Sequence, residues 1–191
     1  MREALHGSGH CYADAEWAQP PGLPRDVLIY LALRTDTAWR VDVAKIVLDE
    51  LCHRLPLATA TVADMRTAIH EAVVNAVVHG NLAVPNTRQH GLEGLRQFHA
   101  QIDARLAEPA LARRRVLIVV RHDRPRSLRI EISDQGDGFV SATALGAPPP
   151  LEQTHGRGLA LIVALASECR WLRTRRTLQM RFPLLTDARA C

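Results

Sequence analysis

Glu71, Asn75 and His79 stand at every fourth position of "AIHEAVVNAVVHGN", residues 68–81. A carboxylate, an amide and an imidazole bring proton acceptance, a neutral oxygen donor and a titratable ring to one place. On an α-helix such a row drifts only about 40° per step, so the three share a face. Val62, Met65, Ile69, Val73, Ala76 and Val77 fall around the opposite side. A solvated face would carry Lys, Arg and Glu, whereas Ala68, Ala72, Val74 and Val78 flank this row. The pattern suggests a partly enclosed polar stripe.

Two further constellations carry chemistry. In "SLRIEISDQGDGF", Leu128, Ile130 and Ile132 alternate toward one side, and Asp134 shares their parity. A carboxylate therefore points to the apolar side at the end of a strand, just before Gly136 and Gly138. An unpaired buried carboxylate is costly, so this one needs a donor from protein, water or ligand. The two glycines permit a tight turn and close backbone approach. A strand-ending Asp-Gly turn is the plainer alternative. The ligand ladder and terminal Glu of a calcium loop are absent. In "THGRGLALIVALA", Gly156, Arg157 and Gly158 open a helix whose free N–H groups and dipole form an anion site. No Gly-Lys-Ser/Thr follows, so it is no P-loop. The third glycine of a dinucleotide fingerprint is also missing.

The elements that must position these groups follow from periodicity and punctuation. Residues 1–25 are rich in Gly, Pro and polar groups and read as a flexible arm, mobile or loosely docked. His6 and His10 within it have i, i+4 spacing, but nothing nearby completes a metal site. "DVLIYLALRT" suits a strand. "TDTAWRVDVAKIVLDELCHRL" reads as one helix, capped by Asp36 or Thr37 and ended by Pro56, with Val41, Ala44, Leu48, Leu51 and Leu55 as its stripe. A second helix is expected from about residue 60 to 79, stopped by Gly80 and Asn81. Residues 85–112 read as a helical insertion with an apolar stripe at Leu95, Phe98, Ile102 and Leu106. "RVLIVVRH" and "SLRIEISD" form a hairpin around "DRPRS". Residues 139–155 are a Gly- and Pro-rich loop. "GLALIVALASE" is a helix, and "CRWLRT" and "LQMRFPLL" close the fold as strands. Helices and a mostly antiparallel sheet make an α/β (α+β) two-layer sandwich, with the helices covering one face. One domain over residues 26–183 and a tail at 184–191 are expected.

With 191 residues the chain has room for one sizeable core. Aromatic residues make up only 4%, so Leu, Val, Ile and Ala must build it. The net charge of +4 rests almost wholly on arginine, since Lys45 is the only lysine. Cys11, Cys52, Cys169 and Cys191 lack metal-ligand or redox spacing and read as free thiols. No apolar run approaches a membrane span, and the N-terminus lacks a secretory h-region, so a cytoplasmic protein is expected. Arginine-rich stretches at 113–115 and 170–176 raise the question of nucleic acid. They fall on or beside strands, and aromatic residues for base stacking are scarce, so direct nucleic-acid binding is not expected.

Taken in order, the three constellations resemble the GHKL (Bergerat-fold) ATPases over residues 26–183. Glu71 and Asn75 look like the N-box, "DQGDGF" like the first glycine box, residues 139–155 like the ATP lid, and "GRGL" like the second glycine box. Within that superfamily the short chain and "HEAVVNAVVHGN" look most like the RsbW/SpoIIAB group of anti-sigma-factor serine kinases. The resemblance implies ATP and Mg2+ as cofactors. It implies that Asp134 accepts the adenine amine while Gly136 and Gly138 let the backbone approach the base. It further implies that Asn75 holds Mg2+, that Gly156, Arg157 and Gly158 cradle phosphate, and that Glu71 is the general base. His79 fits either a helix-end imidazole or a phosphate contact. The implied partners are a STAS-type anti-anti-sigma protein, which is phosphorylated, and a sigma factor, which is sequestered. Relatives often form homodimers. The alternative within the resemblance is a nucleotide-binding partner-switch module without kinase activity.

Overall fold

The computed structural model describes residues 11–14, 17, 23–85, 91–123, 126–136, 157–172 and 176–184. Its elements in chain order are β1 (Cys11–Ala13), β2 (Val27–Arg34), α1 (Thr35–Arg40), α2 (Val43–Arg54), α3 (Thr59–Val74) and a π-helix (Asn75–Asn81). There follow α4 (Gly91–Leu106), α5 (Pro109–Ala112), β3 (Arg115–Asp123), β4 (Ser127–Ser133), α6 (Arg157–Leu165), β5 (Glu168–Leu172) and β6 (Thr177–Pro183). The strands form one six-stranded sheet in the order β1-β2-β3-β4-β6-β5. Only the β1–β2 pair is parallel.

Strand alternation builds the two layers. Leu31, Ile118, Ile132 and Leu178 pair in one row across four strands, and Ile29, Val120, Ile130 and Met180 in the next. Both rows are buried against Ala44, Leu48 and Leu51 of α2 and Met65, Ile69 and Val73 of α3. The opposite face carries Arg121, Arg129 and Arg181 in one row and Glu131 and Gln179 in another. The expected sandwich, with helices over one face of a mixed, mostly antiparallel sheet, is the observed fold. The β3–β4 hairpin and the closing β5–β6 pair fall where the turn signals placed them.

Three expectations need correction. The single helix drawn over residues 35–55 is two helices. Val41 is extended, and Asp42 starts α2 by accepting the Lys45 backbone N–H at 2.9 Å. Asp36 is occupied otherwise, accepting from the Arg34 guanidinium and from the Thr37 backbone N–H. Part of the N-terminal arm is a strand of the sheet and not merely loosely docked, since Cys11–Ala13 pair with Tyr30–Ala32. Asp14 holds this strand in place: it accepts the Tyr12 hydroxyl at 2.9 Å and the Arg34 N–H at 2.7 Å. The insertion comprises two helices, and Pro109 begins the second instead of ending the first. His6, His10, the expected loop 139–155 and residues 185–191 of the expected tail lie outside the described residues.

Cys11, Cys52 and Cys169 are free thiols. Burial pushes the Cys169 thiol up to about 11, which keeps it protonated and unreactive at neutral pH. Among the described residues, no helix is long and apolar enough to cross a membrane.

Candidate nucleotide site

Helix α3 brings Glu71 to the site, and the following turn brings Asn75. Both are half-buried. Among the described residues, neither side chain makes a hydrogen bond. Above them lies the first turn of α6. A Cβ at Gly158 would collide with Glu71 Oε2 and come within 3.7 Å of Asn75 Nδ2. The carboxylate and the amide thus face the N-terminus of a nine-residue helix, where free N–H groups and the dipole favour negative charge. Gly138 and Gly156, the Arg157 side chain and the loop 139–155 lie outside the described residues.

The helical run ends at Asn81, two residues beyond the expected end at His79, and its last turns are not α-helical. From Asn75 it widens into a π-helix, a form that appears in single turns and often at functional sites. Leu82 N–H reaches Val77 O at 2.9 Å, and Ala83 ends the run in a left-handed conformation, φ 51°. His79 lies within this π-helix instead of on a continuous α-helical row. Its Nδ1–H donates to Val84 O at 2.9 Å and closes this turn.

Asp134 sits beyond β4, as its parity required, and closes on the π-helix. A Cβ on Gly80 would lie 2.5 Å from Asp134 Cγ and 2.8 Å from each carboxylate oxygen. A Cβ on Gly136 would collide with the Gly80 carbonyl and lie 2.9 Å from Gly80 Cα. Gly80 and Gly136 are therefore required by close approach, not by chain reversal. The Gly136 N–H donates to Asp134 Oδ1 at 2.8 Å. Oδ2 accepts no hydrogen bond among the described residues. Burial raises the pKa of Asp134, against the Gly136 N–H and the charges of Arg176 and Arg114.

A half-buried carboxylate with one open oxygen fits the exocyclic amine of adenine. An unpaired amide beside a helix N-terminus fits phosphate-bound Mg2+, which takes few protein ligands and keeps its waters. The residues present suit both groups.

The raised pKa makes a stability prediction. A carboxyl raised in the folded state favours folding most when protonated, and that advantage is lost as pH rises through its folded pKa. Asp134→Asn should therefore raise the Tm of the nucleotide-free protein at neutral pH, and the gain should shrink on acidification. ATP binding should move the other way, weakening by about 1–3 kcal/mol through the lost charge-assisted bond. Thermal melts across pH, with calorimetry, check both. Unchanged ATP affinity would refute the contact to adenine.

Asn81, Gln135, Arg114 and Arg176 surround this centre, and sequence spacing assigns none of them to a nucleotide site; Arg114 and Arg176 fall in the arginine-rich stretches 113–115 and 170–176. Asn81 is the last residue of the helical run, and its long-range hydrogen bonds leave no local signal in "HGN".

A search of curated proteins found no match. The family model of the histidine kinase-like ATPase domain matches residues 34–182, a stretch that includes α3, the π-helix, Asp134 and the first turn of α6. The chain belongs to the histidine kinase-like ATPase domain family, and through it to the ATP-binding GHKL superfamily.

Proposed function

We propose that the chain is an ATP-dependent regulatory serine/threonine kinase of the anti-sigma-factor type. The observation that carries this reading is the pair Glu71 and Asn75, unpaired among the described residues and facing the first turn of α6. The likeness of "HEAVVNAVVHGN" to anti-sigma-factor serine kinases supports the acceptor class.

When bound, ATP supplies the phosphoryl group and Mg2+ neutralises its phosphates. Asp134 Oδ2 accepts the adenine amine and fixes the base. The Asn75 amide oxygen is the protein ligand offered to the metal. The backbone N–H groups at the start of α6 receive phosphate oxygens. Glu71 takes the proton from a serine or threonine hydroxyl as its oxygen attacks the γ-phosphorus. The bond from that phosphorus to the β–γ bridging oxygen breaks, and ADP keeps the electron pair. The acceptor is a STAS-type anti-anti-sigma protein, which competes for the kinase with a sigma factor.

The test is transfer of label from γ-labelled ATP to a STAS-domain protein recovered with the chain from its native host. Label on a serine or threonine of that protein is the expected result. ATP binding without any transfer would favour a nucleotide-dependent partner switch that lacks kinase activity.

A further inference from the structure

Asn81 is fully buried and uses its whole side chain. Its Nδ2 donates to Thr35 Oγ1 at 2.9 Å and to Arg115 O at 3.1 Å. Its Oδ1 accepts the Gln135 N–H at 2.7 Å. Gln135 is held at two further atoms: its Oε1 accepts the Arg115 N–H at 2.6 Å, and its carbonyl accepts from Arg176 Nη1 at 3.2 Å. Thr35 Oγ1 in turn donates to Arg114 O at 2.8 Å, and Arg114 Nη1 donates to the Asn81 carbonyl at 2.8 Å.

Two consecutive residues of the π-helix thus grip three consecutive residues after β4. Gly80 lies against Asp134 and Gly136, and Asn81 holds Gln135 between them. The carboxylate cannot shift relative to the helix that carries Asn75 unless these bonds break. We propose that Asn81, anchored by Thr35, is a positioning residue that sets nucleobase selectivity by fixing the direction of Asp134 Oδ2. A carboxylate oxygen held in place rewards an exocyclic amine. Guanine presents a carbonyl at the corresponding position, so the same oxygen repels it. If the carboxylate were free to turn, both the reward and the repulsion would weaken.

This inference rests on the assignment of Asp134 to adenine, and the test separates the two. ATP and GTP affinities are measured by calorimetry on folded Asn81→Asp, Thr35→Val, Thr35→Ser and Asp134→Asn. Asn81→Asp loses both donors and places a charge beside the Arg115 carbonyl. It should weaken ATP by about tenfold, the scale of a lost buried hydrogen bond, and narrow the preference for ATP over GTP. Thr35→Val should act in the same direction, and Thr35→Ser, which keeps the hydroxyl, should restore the parental ratio. A merely structural role would lower Tm in the Val and Asp variants and leave the ratio alone. Parental affinity and ratio in a folded Asn81→Asp or Thr35→Val protein would overturn the proposal. Should Asn81→Asp not fold, the Val/Ser pair at Thr35 decides. If Asp134→Asn binds ATP as the parent does, the adenine assignment fails and the proposal falls with it. If Asp134→Asn loses ATP while Asn81→Asp does not, the role of Asn81 alone is refuted.

Discussion

Glu71→Gln should leave ATP bound and slow phosphoryl transfer by about 100- to 10,000-fold, the usual worth of a positioned general base. Gln keeps the shape of the side chain, so the close contact with Gly158 survives. It cannot accept the hydroxyl proton. Nothing in the proposed contact to adenine passes through Glu71, because Asp134 approaches from β4 and packs on Gly80. Affinity and rate should therefore separate. Single-turnover transfer measured beside calorimetric ATP binding reads both quantities. Transfer at the parental rate would refute the base role. Loss of ATP binding would instead make Glu71 a residue that shapes the phosphate pocket.

The second large effect is expected at Gly136. Alanine there puts a methyl group into the Gly80 carbonyl, and neither partner is a side chain that could rotate away. Backbone must move. Overpacking of this kind costs about 1–3 kcal/mol. In a domain of this size each kcal/mol lowers Tm by roughly 2–4 °C. The movement also carries the Gly136 N–H away from Asp134 Oδ1, so ATP affinity should collapse together with stability. Gly80→Ala presses directly on the carboxylate and should show the same pairing of effects. Thermal melts with and without ATP distinguish the components, since a variant that cannot bind shows no ligand-induced rise in Tm. A Gly136→Ala protein with parental Tm and affinity would mean that the two backbones do not touch in solution.

The raised pKa of Asp134 and the crowded glycines describe one trade. The site holds a carboxylate where burial disfavours its charge, and it encloses that carboxylate with backbone that tolerates no side chain. The buried charge costs stability without nucleotide, and a donor that reaches Oδ2 relieves that cost. Ligand binding should therefore stabilise this domain strongly.

Much of the arrangement was legible in the chain because it is written in short-range periodicity. Alternation in "SLRIEIS" placed Leu128, Ile130 and Ile132 on the buried face and carried Asp134 with them, since side chains on a strand repeat every second residue. The four-residue spacing of Glu71 and Asn75 placed them one helical turn apart, and glycines before "LALIVALA" marked the start of α6. The break at Val41–Asp42 was less legible, because the apolar stripe runs through it and only the cap geometry of Asp42 reveals it. Strand β1 was hidden because three residues carry no periodic signal and depend on β2 for their hydrogen bonds.

By itself, then, the sequence determined which residue types lie on which face, the order of the longer elements, and the strand end at which a carboxylate meets the apolar side. These depend on 3.6- and two-residue periods that neighbouring residues enforce. Only the tertiary structure decided that the helix widens at Asn75, that Gly80 exists to admit Asp134, and that Asn81 ties Thr35, Arg115 and Gln135 together. Those contacts join residues 34 to 54 positions apart. No local pattern encodes them, because their energy appears only when the strand end and the helix meet.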